Sequence, residues 1–198
     1  MIQRAVTSRL PTRYGEFLLH AYVEEREDEE PRVHLALVRG TVEAEPAPLL
    51  RIHSECLTGD LLASVRCDCG EQLDQALAAI GEAPGGILIY LRQEGRGIGL
   101  VNKLRAYNLQ DDGLDTVDAN LHLGFDPDER DYSAAVDILE DLGVPAVRLL
   151  TNNPNKIAAF ERSQVRVVER LPLVVSETAE NANYLETKRR RLGHLPGA

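Results

Sequence analysis

The sequence predicts a single α/β domain: a mixed, largely parallel core sheet flanked by helices, with an N-terminal β-hairpin region. Three observations carry that expectation. From Gly70 onward, segments of helical periodicity alternate with short apolar runs, the rhythm of parallel strands joined by helices. Before it, β-prone runs at residues 16–23 and 33–39 flank the acidic stretch 24–31, which reads as a hairpin with a solvated loop. The length, 198 residues, suits one domain. Residues 1–175 are expected to form it, and 176–198 a mobile tail with few large apolar side chains.

The elements follow in order. Residues 40–48 hold Pro46 and Pro48 and read as a turn; 49–53 return to strand. Leu73, Leu77 and Ile80 share one face of a helix over 71–82, which Pro84-Gly85-Gly86 ends. Residues 87–91 are apolar on both faces, as a buried strand requires. A glycine-rich turn, Gly95-Arg96-Gly97-Ile98-Gly99, leads into a helix over 100–109. Leu100, Leu104 and Tyr107 form its apolar stripe, and on pattern alone Tyr107 is a core residue. Asp126-Pro127-Asp128-Glu129-Arg130-Asp131 places acidic residues at the start of the next helix, which Tyr132, Ala135, Val136 and Leu139 mark and Gly143 closes. A strand at 146–150, a short helix at 156–162 and a strand at 165–169 complete the core. The basic cluster Lys188-Arg189-Arg190-Arg191 suits a helix C-terminus before Gly193.

Charge excludes some functions. Lys and Arg number 22 against 32 Asp and Glu, a net charge of −10 that gives no basic footprint for nucleic acid or anionic membrane. No stretch approaches the roughly 18 apolar residues of a membrane span, and the N-terminus lacks an apolar signal core. A soluble, cytoplasmic protein is expected.

All three cysteines fall within residues 56–69, as His53-Ser54-Glu55-Cys56 and Cys67-Asp68-Cys69-Gly70. An odd, clustered set beside charged residues and glycine points to metal or catalysis rather than disulfides. Three thiolates suit Zn²⁺. With His53 as fourth ligand the site would be closed and structural; without it, a position stays open for water. His53-x-Glu55 matches the H-x-E of zinc nucleobase deaminases, but their P-C-x-x-C partner is missing. Two further loops carry polar residues where open α/β sheets bind ligands. Arg92-Gln93-Glu94-Gly95-Arg96 follows one strand, and Thr151-Asn152-Asn153-Pro154-Asn155-Lys156, suited to a phosphate, follows another.

Together these segments resemble the GTP cyclohydrolase II family, in its stand-alone form. The matching blocks are Arg51-Ile52-His53-Ser54-Glu55-Cys56-Leu57-Thr58-Gly59-Asp60, Arg66-Cys67-Asp68-Cys69-Gly70, Arg92 to Arg96, Lys103-Leu104-Arg105-Ala106-Tyr107, Asp115 to Asn120, Asp128-Glu129-Arg130-Asp131 and Leu149 to Pro154. They run in order at family spacing. The resemblance implies one zinc on Cys56, Cys67 and Cys69. It implies GTP binding by Arg51, Ile52, His53, Ser54, Glu55, Gln72, Glu94, Gly95, Arg96, Thr116, Thr151 and Lys156. Asp128 and Arg130 match its proposed proton acceptor and nucleophile, and Tyr107 a tyrosine of the ring chemistry. The implied reaction has zinc-activated water attack C8 of guanine, releasing formate. Pyrophosphate leaves with Mg²⁺ assistance. The product is 2,5-diamino-6-(5-phosphoribosylamino)pyrimidin-4-one, at the start of riboflavin synthesis. A homodimer is also implied. Many relatives carry a dihydroxybutanone phosphate synthase domain in front, for which this chain is too short.

Physical chemistry sharpens two roles. An arginine stays protonated and is a poor nucleophile, so Arg130 reads as a clamp on charge at the α-phosphorus. Two apart, Asp128 and Arg130 would not share a face of a regular helix. The carboxylate of Glu94 suits the two N–H donors on one edge of guanine. Two rival readings remain: a zinc hydrolase that opens the ring but stops at the formamide or spares the triphosphate, and a guanine-nucleotide-binding regulator with structural zinc.

Overall fold

The computed structural model describes residues 2–27 and 29–195. Met1, Asp28 of the acidic stretch and residues 196–198 of the expected tail lie outside the described residues. Among the described residues seven strands form one mixed sheet in the order β1-β2-β3-β5-β4-β6-β7. β1 (Ile2–Thr12), β2 (Gly15–Glu24) and β3 (Arg32–Arg39) are antiparallel neighbours, and β3 pairs antiparallel with β5 (Gly86–Leu91). β4 (Leu49–Ser54) runs parallel to β5 and to β6 (Ala146–Leu150), and β6 parallel to β7 (Arg166–Leu171). The expected α/β class, parallel core and N-terminal hairpin are therefore present.

The parallel strands are buried because both their faces are covered. On one face Leu50, Ile52, Ile87 and Ile89 join Ala135, Ile138 and Leu139 of α5 (Ser133–Asp141) in one apolar cluster. On the other, Leu49, Leu88 and Phe17 meet Ala76 and Ile80 of α2 (Cys69–Glu82). A short helix α1 (Leu57–Asp60) follows β4, and α3 (Gly99–Asp111), α4 (Thr116–His122) and α6 (Pro154–Ala158) fill the later connections. The last helix is α7 (Ala182–Arg191).

One strand carries no sequence signal and three local expectations change. β1 is an edge strand exposed along most of its length; Gln3, Arg4, Thr7, Ser8 and Arg9 leave no apolar period to detect. Pro11 is tolerated there for the same reason. In α3 the residues turned inward are Lys103 and Ala106, while Leu104 is 45% exposed. The helix lines a cavity that holds charged side chains rather than packing on an oily core, so the apolar stripe does not mark its inner face. Residues 126–131 form a loop, not a helix start; α5 begins at Ser133, whose N–H donates to Asp131 Oδ1 at 2.9 Å. Finally, part of the stretch read as a tail is helical, and α7 packs against α4.

Candidate active site

The C-terminal ends of β4, β5 and β6 point the same way, and the loops that follow them converge. β4 ends in Ser54, and Cys56 caps α1. Cys67 lies in the next loop and Cys69 opens α2. The Sγ atoms of Cys56 and Cys67 are 3.6 Å apart, and all three Sγ atoms lie within 4.8 Å of one another. Tetrahedral zinc with Zn–S bonds of about 2.3 Å separates its sulfurs by roughly 3.8 Å, so the set fits the ion. Gly59 makes room for it: a Cβ there would stand 2.9 Å from Cys67 Sγ and 3.3 Å from Cys56 Sγ. Electrostatics fit as well. Hydrogen bonds from the neighbouring thiols and the Lys103 ammonium hold Cys56 far down as thiolate, while Cys56 itself pushes Cys67 up to about 11. Three such thiols ionise together only beside a cation.

His53 is not the fourth member. Its Nε2 lies 2.9 Å from Asp60 Oδ1, and its ring stacks on Tyr90 at 5.5 Å. Asp60 Oδ2 in turn accepts the Cys56 N–H at 3.0 Å and the Tyr90 hydroxyl at 2.9 Å. His53 thus belongs to a buried network that holds the Cys56 backbone. Among the described residues no other His, Cys, Asp or Glu joins the thiol group.

Glu94 is held by protein donors of the thiol centre. Its Oε1 accepts from Lys103 Nζ at 2.8 Å and from Gly95 N–H at 2.7 Å, and Oε2 accepts from Leu57 N–H at 2.6 Å. Lys103 Nζ also reaches Cys56 Sγ at 3.1 Å. Burial pulls the Lys103 pKa down, but Glu94 and Cys56 more than reverse it. Through these bonds Glu94 braces the thiol centre by way of Lys103. Tyr107 is no core residue either: its hydroxyl is 3.3 Å from Thr58 Oγ1, and Arg66 lies over its ring at 4.7 Å.

Two adjoining cavities meet at this point. The first is lined by the three cysteines together with Glu55, Glu94, Gly95, Lys103, Tyr107 and Thr116. The second is lined by Arg51, His53, Gln72, Thr151 and Lys156. Ser54, Cys69, Arg96, Arg130 and Tyr184 line both. The cations of the second cavity are held in ways that leave charge to spare. Arg51 donates to Leu150 O at 3.0 Å and to Gln72 Oε1 at 2.5 Å, while its buried Nε has no partner. Lys156 donates to Ile52 O at 2.8 Å. Burial, then Arg51 and Arg130, push its pKa far down. Arg96 sits at φ 61, with both Nη atoms buried and unpartnered. Glycines on either side let the chain pass through this left-handed stretch.

Arg130 donates from Nε and Nη2 to the two oxygens of Asp128, at 2.7 and 2.6 Å. A loop rather than a helix lets residues two apart pair this way. Burial opposes the Arg130 charge, but Asp128 more than compensates, and Arg130 in turn keeps Asp128 below the usual carboxylate range. Asp128 lines neither cavity; it stands behind Arg130. Ile52 lines neither as well. It is fully buried in the apolar cluster, because alternate residues of β4 face opposite ways, and it meets the site only through the carbonyl that holds Lys156. Sequence reasoning gave no site role to Asp60, Lys103, Tyr184 or Lys188. Lys103 and Tyr107 sit four apart on α3, a spacing that could have flagged them.

Fold and site together define an α/β protein whose candidate thiolate metal centre opens onto a cation-lined cleft. Residues 3–172 match the family model for GTP cyclohydrolase II. The GTP cyclohydrolase-2 of Pseudomonas paraeruginosa is 55% identical over 192 residues, covering 96% of this chain and 92% of that protein. That of Escherichia fergusonii is 50% identical over 196 residues, covering 99% and 98%. Riboflavin biosynthesis protein RibBA of Chlorobium phaeovibrioides is 54% identical over 195 residues; this chain spans 98% of itself but 47% of that relative. The chain belongs to the GTP cyclohydrolase II family.

Proposed function

We propose that the chain is a zinc-dependent hydrolase that opens the imidazole ring of GTP. It releases formate and pyrophosphate and yields 2,5-diamino-6-(5-phosphoribosylamino)pyrimidin-4-one, for riboflavin synthesis. One observation carries the reading. Arg96 holds two buried, unpartnered guanidinium nitrogens at the junction of the thiol cavity and the cationic cavity. Buried donors without partners are costly, and an α-phosphate between base and β-phosphate would satisfy them.

The base lies in the first cavity, with C8 toward the thiol centre and Tyr107 beside it. Cys56, Cys67 and Cys69 would hold zinc, which would supply a Lewis acid able to activate water near neutral pH. Lys103 and Glu94 fix the position of Cys56. The triphosphate, with Mg²⁺, lies in the second cavity against Arg51, Thr151 and Lys156. Arg130, kept cationic by Asp128, stabilises charge developing at the α-phosphorus. Its two engaged nitrogens support a clamp over a nucleophile. Ser54, Glu55, Gln72, Gly95 and Thr116 line or brace the same space. The reading includes a homodimer in the cytoplasm. Exposed Leu61, Leu62 and Val65, beside the thiol loop, offer apolar surface for self-association. Among the described residues no helix is long and apolar enough to cross a membrane.

Mass spectrometry of the product after incubation with GTP, Zn²⁺ and Mg²⁺ tests the proposal. One formate and one pyrophosphate per GTP are expected. A formamide that keeps its triphosphate would replace it with the partial hydrolase, and tight GTP binding without turnover with the regulator.

A further inference from the structure

The family match ends at residue 172, yet side chains beyond it close both cavities. α7 carries Tyr184 to the junction of the two, and Lys188 to the cationic one. Apolar packing contributes little to α7, since Leu185 is its one buried large apolar residue. Polar contacts dock it instead. Lys188 Nζ lies 2.5 Å from Asp68 Oδ1, and Arg191 pairs with Asp115 at 2.5 Å and Asp118 at 2.8 Å. Just past the helix, Leu195 N–H donates to Asn152 O at 2.8 Å.

We infer that Lys188 is a phosphate-binding residue of the triphosphate pocket, delivered by α7, with the Tyr184 ring as its roof. The inference rests on the GTP reading above. Lys188 has a nearly buried side chain, 11% exposed, on a wall shared with Arg51, Arg96, Arg130 and Lys156. An ammonium has three donors, and Asp68 takes one. Asp68 also accepts from Gln72 Nε2 at 2.6 Å, and Gln72 holds Arg51, so one buried carboxylate sets two cations of the pocket. The Tyr184 ring lies 4.5 Å from Lys188 Nζ and 5.5 Å from the Arg96 guanidinium, spanning the two groups. Gathering a further cation beside Arg51, Arg96 and Arg130 is unfavourable without a polyanion to share. The same crowding contributes to pushing the neighbouring His194 down to about 3, after burial itself.

Titration calorimetry on the zinc-loaded full chain tests this with two probes, inorganic tripolyphosphate and guanosine. Lys188→Ala is expected to weaken tripolyphosphate about tenfold, the worth of one charge-assisted contact. Guanosine affinity should stay unchanged, and Lys188→Arg should restore most of the loss. Unchanged tripolyphosphate affinity in Lys188→Ala would overturn the assignment. So would parallel weakening of both probes without rescue by arginine, which would make Lys188 only a peg for α7. Wild-type protein that binds neither probe would instead defeat the GTP reading itself.

Discussion

The two halves of the sheet share hydrogen bonds and divide the labour. β1, β2 and β3 are antiparallel, and none of their residues lines either site cavity. β4, β5 and β6 are parallel, and the loops after all three supply the site. Direction explains the difference. Antiparallel neighbours send their ends to opposite edges, so they cannot gather many loops in one place. Parallel strands deliver every C-terminal end to the same edge. The antiparallel half widens the core and backs the site once, where His34 Nδ1 accepts the Arg92 N–H at 3.1 Å.

The largest effects should come from the parallel half. Cys67→Ser is expected to strip the metal and cut formate release by more than the roughly 100-fold that an outer-shell partner costs. Arg130→Ala should reduce pyrophosphate release by about 10²–10³-fold with zinc retained. Metal analysis and separate formate and pyrophosphate assays check both. If each variant loses both products equally, the two chemical centres are not independent.

Glu94→Gln comes next. With Lys103 deprived of its counter-charge, zinc affinity should fall by roughly 10–100-fold, while the preference for GTP over ATP and inosine triphosphate persists. A changed preference with normal zinc content would return Glu94 to base recognition.

Lys156 gives a subtler effect. Its pKa is depressed by burial and by neighbouring cations, so part of it is uncharged below the ordinary value of 10.5. A bound polyanion favours the ammonium and raises the pKa again, so Lys156 takes up a proton on binding. Calorimetry of tripolyphosphate at about pH 8.5, where imidazoles contribute little, in buffers of different ionisation enthalpy should show less uptake, or more release, in Lys156→Gln than in the wild type. Equal uptake in that variant would move the effect to another group.

In the antiparallel half, Asp141 accepts the buried Tyr22 hydroxyl at 2.6 Å and pairs with Arg4 at 2.5 Å, tying β1 and β2 to α5. Asp141→Ala should cost about 1–2 kcal/mol of stability, mostly the orphaned hydroxyl, and leave the KM for GTP unchanged. Denaturant unfolding beside steady-state kinetics checks it; a raised KM would show that the halves are coupled.

The halves also differed in how legible they were. β4, β5 and β6 declared themselves by apolar runs, and their loops by cysteines, glycines and paired charges. β1 had no such signal because water covers it. α4 starts on an Asp115 cap that accepts from Val117 and Asp118 N–H at 2.8 and 2.9 Å, a local bond in a stretch too short to show a period. α7 was unreadable as part of the site because ion pairs to distant residues hold it there, the farthest being Asp68, 120 positions before Lys188. The partner of Glu94 was hidden similarly. Lys103 lies nine residues on, and only the turn through Gly95 and Arg96 brings it back.

The alternation along β4 has a consequence for mutational scanning. Arg51 and His53 face the cleft, and Ile52 between them faces oil, but the Ile52 carbonyl fastens Lys156. A packing change at Ile52 would shift that carbonyl and move the lysine with it. In a screen scored by turnover, such a variant would be counted among ligand contacts, although its side chain never meets the ligand. Saturation data over residues 51–53 would thus score a contact map and a packing map in the same column.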